Sequence, residues 1–112
     1  MTEVIAILNN YRQSPRKVRM VADMIRGRKV DEALSILKFQ PRKAARMLSK
    51  VLTSAIANAT ENEKADADKL VVTAVAIDPG PVEKRWLARS MGRANRINRR
   101  SSHVTVTVDT QE

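Results

Sequence analysis

Between two β-rich segments, Leu70–Ile77 and Val104–Val108, the chain passes through KRWLARSMGRANRINRR, residues 84–100. These seventeen positions hold seven cations and no acid. Their few apolar residues make no stripe that could pack on a body. A structureless loop of this length is uncommon in a small domain. The flanking strands are therefore expected to continue outward as a β-hairpin arm, approximately residues 76–103, with a basic tip. Ten residues of arm strand reach roughly 33 Å, at about 3.3 Å per residue. A compact body of this size has a radius of gyration of only about 13 Å. The arm would thus stand clear of its own domain.

The rest of the 112 residues supplies a body for one domain, residues 1–112. Val4–Leu8 is a short apolar run, read as a central strand or one buried on both faces. Ser14-Pro15 has the form of an N-cap followed by proline at the first helical position. Val18, Val21, Ala22 and Ile25 recur at helical spacing, and Gly27 is a stop. Asp31 is read as the cap of a second helix with Ala33, Leu34 and Leu37 inward. Phe39 is expected in the core. A third helix is expected over residues 41–61, about 30 Å long. Ala44, Leu48, Val51, Leu52, Ala55, Ile56 and Ala59 form its apolar face. Glu61–Asp68 is a polar, acidic connection. Val104, Val106 and Val108 alternate with Thr105, Thr107 and Asp109, as in a half-buried strand. The expected fold class is α+β: a small antiparallel three-stranded sheet, three helices on one face, and the extended hairpin.

Charge points to the partner. The chain carries 21 Lys+Arg against 12 Asp+Glu, a net charge of +9. Residues 1–50 hold twelve cations and four acids, and residues 79–100 hold seven cations and one acid, whereas residues 51–78 are net acidic. Two separate basic blocks exceed what solubility asks for and favour an anionic partner. Arginine outnumbers lysine thirteen to eight, which suits bidentate phosphate contacts. The body block comprises Arg12, Arg16, Lys17, Arg19, Arg26, Arg28, Lys29, Arg42, Lys43, Arg46 and Lys50. The arm block comprises Lys84, Arg85, Arg89, Arg93, Arg96, Arg99 and Arg100, with His103 beside it. On the first helix Arg16, Arg19 and Arg26 share a face around Asp23. Arg42, Arg46 and Lys50 repeat every four residues on the third.

Enzymatic readings find little support. No cysteine is present and there is a single histidine, so thiolate or zinc chemistry has no ligand set. His103 is read as structural or RNA-contacting. Asp66 and Asp68 are read as solvated. Gly27, Gly80 and Gly92 make no phosphate loop. No catalytic residue, metal or cofactor is expected. Trp86, Phe39 and Tyr11 are too scattered for a stacking platform, though Trp86 fits a contact position. No apolar run is long enough to span a bilayer, so no membrane partner is expected.

RSMGRANRINRRSSHVTVTV, residues 89–108, resembles the signature of the large-subunit ribosomal protein family L22. The similarity extends to SPRKVRMVADMIRGRKVDEAL, residues 14–34, and to VLTSAIANATEN, residues 51–62. The resemblance implies a structural, ribosomal RNA-binding protein of the bacterial large subunit, resident in cytoplasmic ribosomes. It implies a body near the tunnel exit, a hairpin reaching the wall of the nascent-peptide tunnel, and a part in subunit assembly. Expected partners are large-subunit ribosomal RNA, neighbouring ribosomal proteins and the nascent peptide, the protein being a monomer within the ribosome. The segment 82–91 is expected farthest from the body, with Glu83, Lys84, Arg85, Trp86 and Arg89 as the tunnel-facing tip. A DNA-bending protein with basic β-arms is the alternative; it would need a self-association face and an apolar wedge at the arm tip.

Overall fold

A computed structural model describes residues 3–62, 66–80, 83–88 and 94–110; for 62, 83–88 and 94–99 it describes the backbone alone. The element order is β1 (Val4–Tyr11), α1 (Pro15–Ala22), α2 (Val30–Phe39), α3 (Lys43–Asn62), a 3₁₀ turn (Ala67–Lys69), β2 (Leu70–Pro79), β3 (Glu83–Ala88), β4 (Ala94–Arg99) and β5 (Ser102–Thr110). β1, β5 and β2 form an antiparallel sheet in that order. The expected α+β class is observed, with α1 and α2 packed toward β2 and α3 against β1 and β5.

The sheet turns one face to the helices. Val104, Val106 and Val108 of β5 meet Val72, Val75 and Ile77 of β2 beneath them, all buried. Strict alternation would send Val72 and Val75 to opposite faces. A bulge at Thr73, between the pairs Val72↔Val108 and Ala74↔Thr107, brings both inward. From above, α3 inserts Ala44, Leu48, Leu52, Ala55 and Ala59, each wholly buried. Leucines such as Leu48 and Leu52 contribute about 1.5–3 kcal/mol each on burial. The expected stripe is observed, except that Ile56 is only half-buried.

Three expectations are corrected. β1 is an edge strand, with Ala6 buried but Ile5 and Ile7 exposed on the uncovered face. A short apolar run carries no information about which neighbours a strand has, and here β5 takes the centre. Phe39 is 81 % exposed at the end of α2; Leu37 takes the inward position on the last turn. Lys29, not Asp31, precedes the first turn of α2. Asp31 and Glu32 lie within that turn, where their charge favours the amino-terminal dipole. α1 does begin at Ser14-Pro15 but ends at Ala22, and Ile25 is buried from the turn beyond. Gly27 adopts φ 77°, a left-handed conformation that suits glycine.

β3 and β4 pair antiparallel from Glu83↔Arg99 to Ala88↔Ala94, extending the β2–β5 ladder outward as the arm. The molecule measures 64 × 25 × 17 Å with a radius of gyration of 17.1 Å. A compact chain of this length would give about 13 Å. Glu83 sits at the arm's base, and Lys84, Arg85 and Trp86 lie along β3. Of the expected tip, 82–91, the backbone of 83–88 lies in the β3–β4 ladder, and residues 82 and 89–91 lie outside the described residues.

Candidate nucleic-acid interface

The arm leaves the body at a built root. Gly80 N–H donates to the Ser101 carbonyl at 2.9 Å. A β-carbon on Gly80 would lie 2.6 Å from Ser101 Oγ and 3.3 Å from its carbonyl carbon, so close approach requires glycine here. Ser102 is fully buried, and its hydroxyl donates to the Gln13 carbonyl at 2.7 Å. His103 Nδ1 accepts from Asn10 N–H at 3.1 Å. In the neutral ring this leaves the proton on Nε2. Asn10 takes φ 59°, which asparagine tolerates better than most residues. The segment 10–13, leading from β1 into α1, is thus fastened to the start of β5. The structural reading of His103 is the one the geometry supports.

That fastening juxtaposes the two basic blocks. An open groove of about 1020 Å³ is lined by Arg16, Lys17 and Arg19 of α1, Arg42 and Lys43 at the start of α3, and Arg100 at the arm root, with Pro79, Gly80 and Ser101 behind them. Residues 14–17 and 42–43 bring two helix amino-terminal turns to this groove. Their amino-terminal dipoles add to the attraction for anions. Among the described residues no acid lines the groove. Arg46 and Lys50 extend the positive surface along α3, exposed beside a second groove that also holds Lys38 and Phe39. Lys38 Nζ lies 5.8 Å from the Phe39 ring centre, within cation–π range.

The remaining cations divide. Arg12 is exposed at the end of β1. Arg19 Nη2 donates to the Ile77 carbonyl at 2.9 Å, and Arg26 donates through Nε and Nη2 to the Val75 carbonyl at 3.1 and 2.7 Å. Arg26 also pairs with Asp23. These two arginines close the outer edge of β2, a role for which the sequence holds no local signal because the partners are 58 and 49 residues away. Arg28 donates to the Met24 carbonyl and reaches Glu32 at 4.0 Å. Lys29 lies at a bridge to Val71, away from the groove. The side chains of Lys84, Arg85, Trp86, Arg96 and Arg99, and all of Arg89 and Arg93, lie outside the described residues. Sequence reasoning missed Asn10, Gln13, Gly80 and Ser102 as the root, because the bonds from Asn10 and Ser102 span 93 and 89 residues.

Among the described residues no cluster of acids and histidine could hold a metal ion. No helix among them is long and apolar enough to cross a membrane. Tyr11 has its phenol pushed above the ordinary value of 10.0 by burial.

The model of the family described as ribosomal protein L22p/L17e matches residues 6–109. This chain belongs to that family. It is a ribosomal protein of bacterial type, in a family of structural proteins and not of enzymes, and its place is the ribosome in the cytoplasm. Large ribosomal subunit protein uL22 of Maridesulfovibrio salexigens is 56 % identical over 106 residues, covering 95 % of this chain and 96 % of that one. The uL22 proteins of Herpetosiphon aurantiacus and Fusobacterium nucleatum are each 51 % identical, over 107 and 110 residues. The match covers 96 % and 98 % of this chain, and 95 % and 99 % of theirs. Body and arm both fall inside the matched span.

Proposed function

We propose that this chain acts as one ribosomal-protein domain, residues 1–112, that binds large-subunit ribosomal RNA and helps the subunit assemble. The observation that carries this is the groove at the arm root, where cations separated in sequence by more than eighty residues, Arg16 and Arg100, line one surface that holds no acid among the described residues. A phosphate backbone entering there meets fixed guanidinium and ammonium groups and two helix amino termini. The arm, approximately 76–103, then follows the RNA inward. Glu83, Lys84, Arg85, Trp86 and Arg89 face the nascent-peptide tunnel in this proposal. Neighbouring ribosomal proteins complete the setting, with the chain present as a monomer.

The test is the salt dependence of binding to isolated large-subunit ribosomal RNA. Each neutralised phosphate lowers the logarithmic slope by about 0.7 to 0.9. The wild-type chain should lose affinity steeply as salt rises, and Arg16→Glu with Lys43→Glu should flatten the slope. Binding that ignores salt would overturn the electrostatic reading. Random duplex DNA bound as tightly as the RNA, and bent by it, would favour the DNA-bending alternative.

A further inference from the structure

The two edges of the three-stranded sheet are treated differently. The edge of β2 is closed: Arg19 and Arg26 fill the carbonyls of Ile77 and Val75, and the loop after α1 exchanges main-chain hydrogen bonds with Val72. The edge of β1 has β5 on one side and, among the described residues, no strand on the other. An open strand edge is a template for another chain, and proteins ordinarily blunt it. Here it is eight residues long.

Beside this edge runs an open groove of about 590 Å³ between β1 and α3. Ala6, Leu8, Met47 and Val51 give it an apolar floor. Lys43, Arg46 and Lys50 of α3 form its outer lip, all exposed. Arg46 and Lys50 are one helical turn apart, about 6 Å. Alternate side chains of a strand are about 6.6 Å apart. On the other face of the sheet, Ile5 and Ile7 stand exposed.

We propose that β1 receives an extended segment of another protein as a fourth strand, one whose alternate residues are acidic and apolar. Its main chain continues the ladder along β1. Its acidic side chains meet the lip of α3 at strand spacing, and its apolar ones lie beside Ile5 and Ile7. A second copy of this chain is excluded as the occupant by the lip itself, which would oppose like charge with like. RNA offers no ladder to continue. Lys43, Arg46 and Lys50 also belong to the RNA-binding surface proposed above; the following titration uses the free chain, so failure of that reading leaves it unaffected.

The probe is a capped eight-residue peptide alternating valine and glutamate, added to the full chain and followed by amide NMR and hydrogen exchange. Resonances of β1 should shift, and every second amide of β1 should exchange more slowly. Arg46→Glu with Lys50→Glu should weaken the peptide by about tenfold or more, the scale of a lost pair of close charge contacts. A valine–lysine peptide should not bind. Equal binding of a glycine–glutamate peptide, or shifts confined to the arm-root groove, would reduce the effect to general charge attraction and overturn the proposal. In assembled large subunits, a photoreactive residue at Ser54, and separately at Ile7, should cross-link to protein. Cross-links to RNA alone at both positions would also overturn it.

Discussion

Gly80 leaves no room for a larger residue. Alanine there would force the Ser101 hydroxyl to turn away from a contact of 2.6 Å and would still press on its carbonyl carbon. Gly80→Ala should therefore lower stability by about 1 kcal/mol, the scale of a modest overpacking, seen as a lower thermal midpoint. An unchanged midpoint would mean that the root yields without strain. Tyr11 offers a second test at this scale. It is the sole tyrosine, so its ultraviolet titration has one source. Burial disfavours the phenolate, and the folded chain holds a proton that the unfolded chain releases near pH 10. This contribution to stability is complete below pH 10 and is lost as pH rises through the folded value. The native titration midpoint should lie above 10, and addition of denaturant should bring it back down. A native midpoint at or below 10 would contradict the burial.

Single elements carry the next consequences. Arg26→Met keeps much of the side-chain volume but leaves the Val75 carbonyl without two donors. The side chain is 39 % exposed, so water partly replaces them and the loss should be about 1 kcal/mol. Denaturant unfolding measures it, and light scattering should show whether a bared β2 edge promotes association. Leu48→Asp should prevent folding, because it sets a charge on the fully buried stripe of α3, and circular dichroism would report it. Much of this was legible beforehand. The α3 stripe repeats for about four turns, and β5 alternates over three valines, so period alone identified element and face. Edge or centre was not legible for β1, since Val4–Leu8 looks the same in either place. Nor could the cis roles of Arg19 and Arg26 be read, because an arginine on a helix shows its charge but not a carbonyl on a distant strand. Phe39 followed its hydropathy into the expected core, while Leu37 had already taken the place. The basic groove itself was legible only as two blocks of charge; bringing Arg16 and Arg100 together required the register of β2 with β5 and the bonds from Ser102 and His103 to the segment 10–13.

Across the whole molecule the arm is an extension that the body does not need for its own core, yet one fixed to it through the β2–β5 ladder, which pairs continuously from Ala74↔Thr107 to Pro79↔Ser102. The fold therefore allows the arm to be shortened without changing what folds. The ladder dictates how. Removing Lys84–Trp86 alone would take an odd number of residues from one strand and turn every side chain beyond them to the other face. Removing Arg85 and Trp86 together with their partners Ile97 and Arg96 takes two residues from each strand and preserves both register and face. Such an arm is shorter by roughly 7 Å, at about 3.3 Å per residue. The thermal midpoint should change little, because the buried core of the body is untouched. Binding to ribosomal RNA should weaken only by the share of the two cations removed, Arg85 and Arg96, since the arm-root groove remains. If the arm reaches the tunnel wall as proposed, ribosomes carrying the shortened chain should incorporate it and should respond differently to a peptide that stalls in the tunnel. Normal incorporation with unchanged stalling would remove the tunnel role and leave the arm as an RNA anchor. Failed incorporation would show that the outer arm, and not the groove at its root, supplies the attachment that assembly requires.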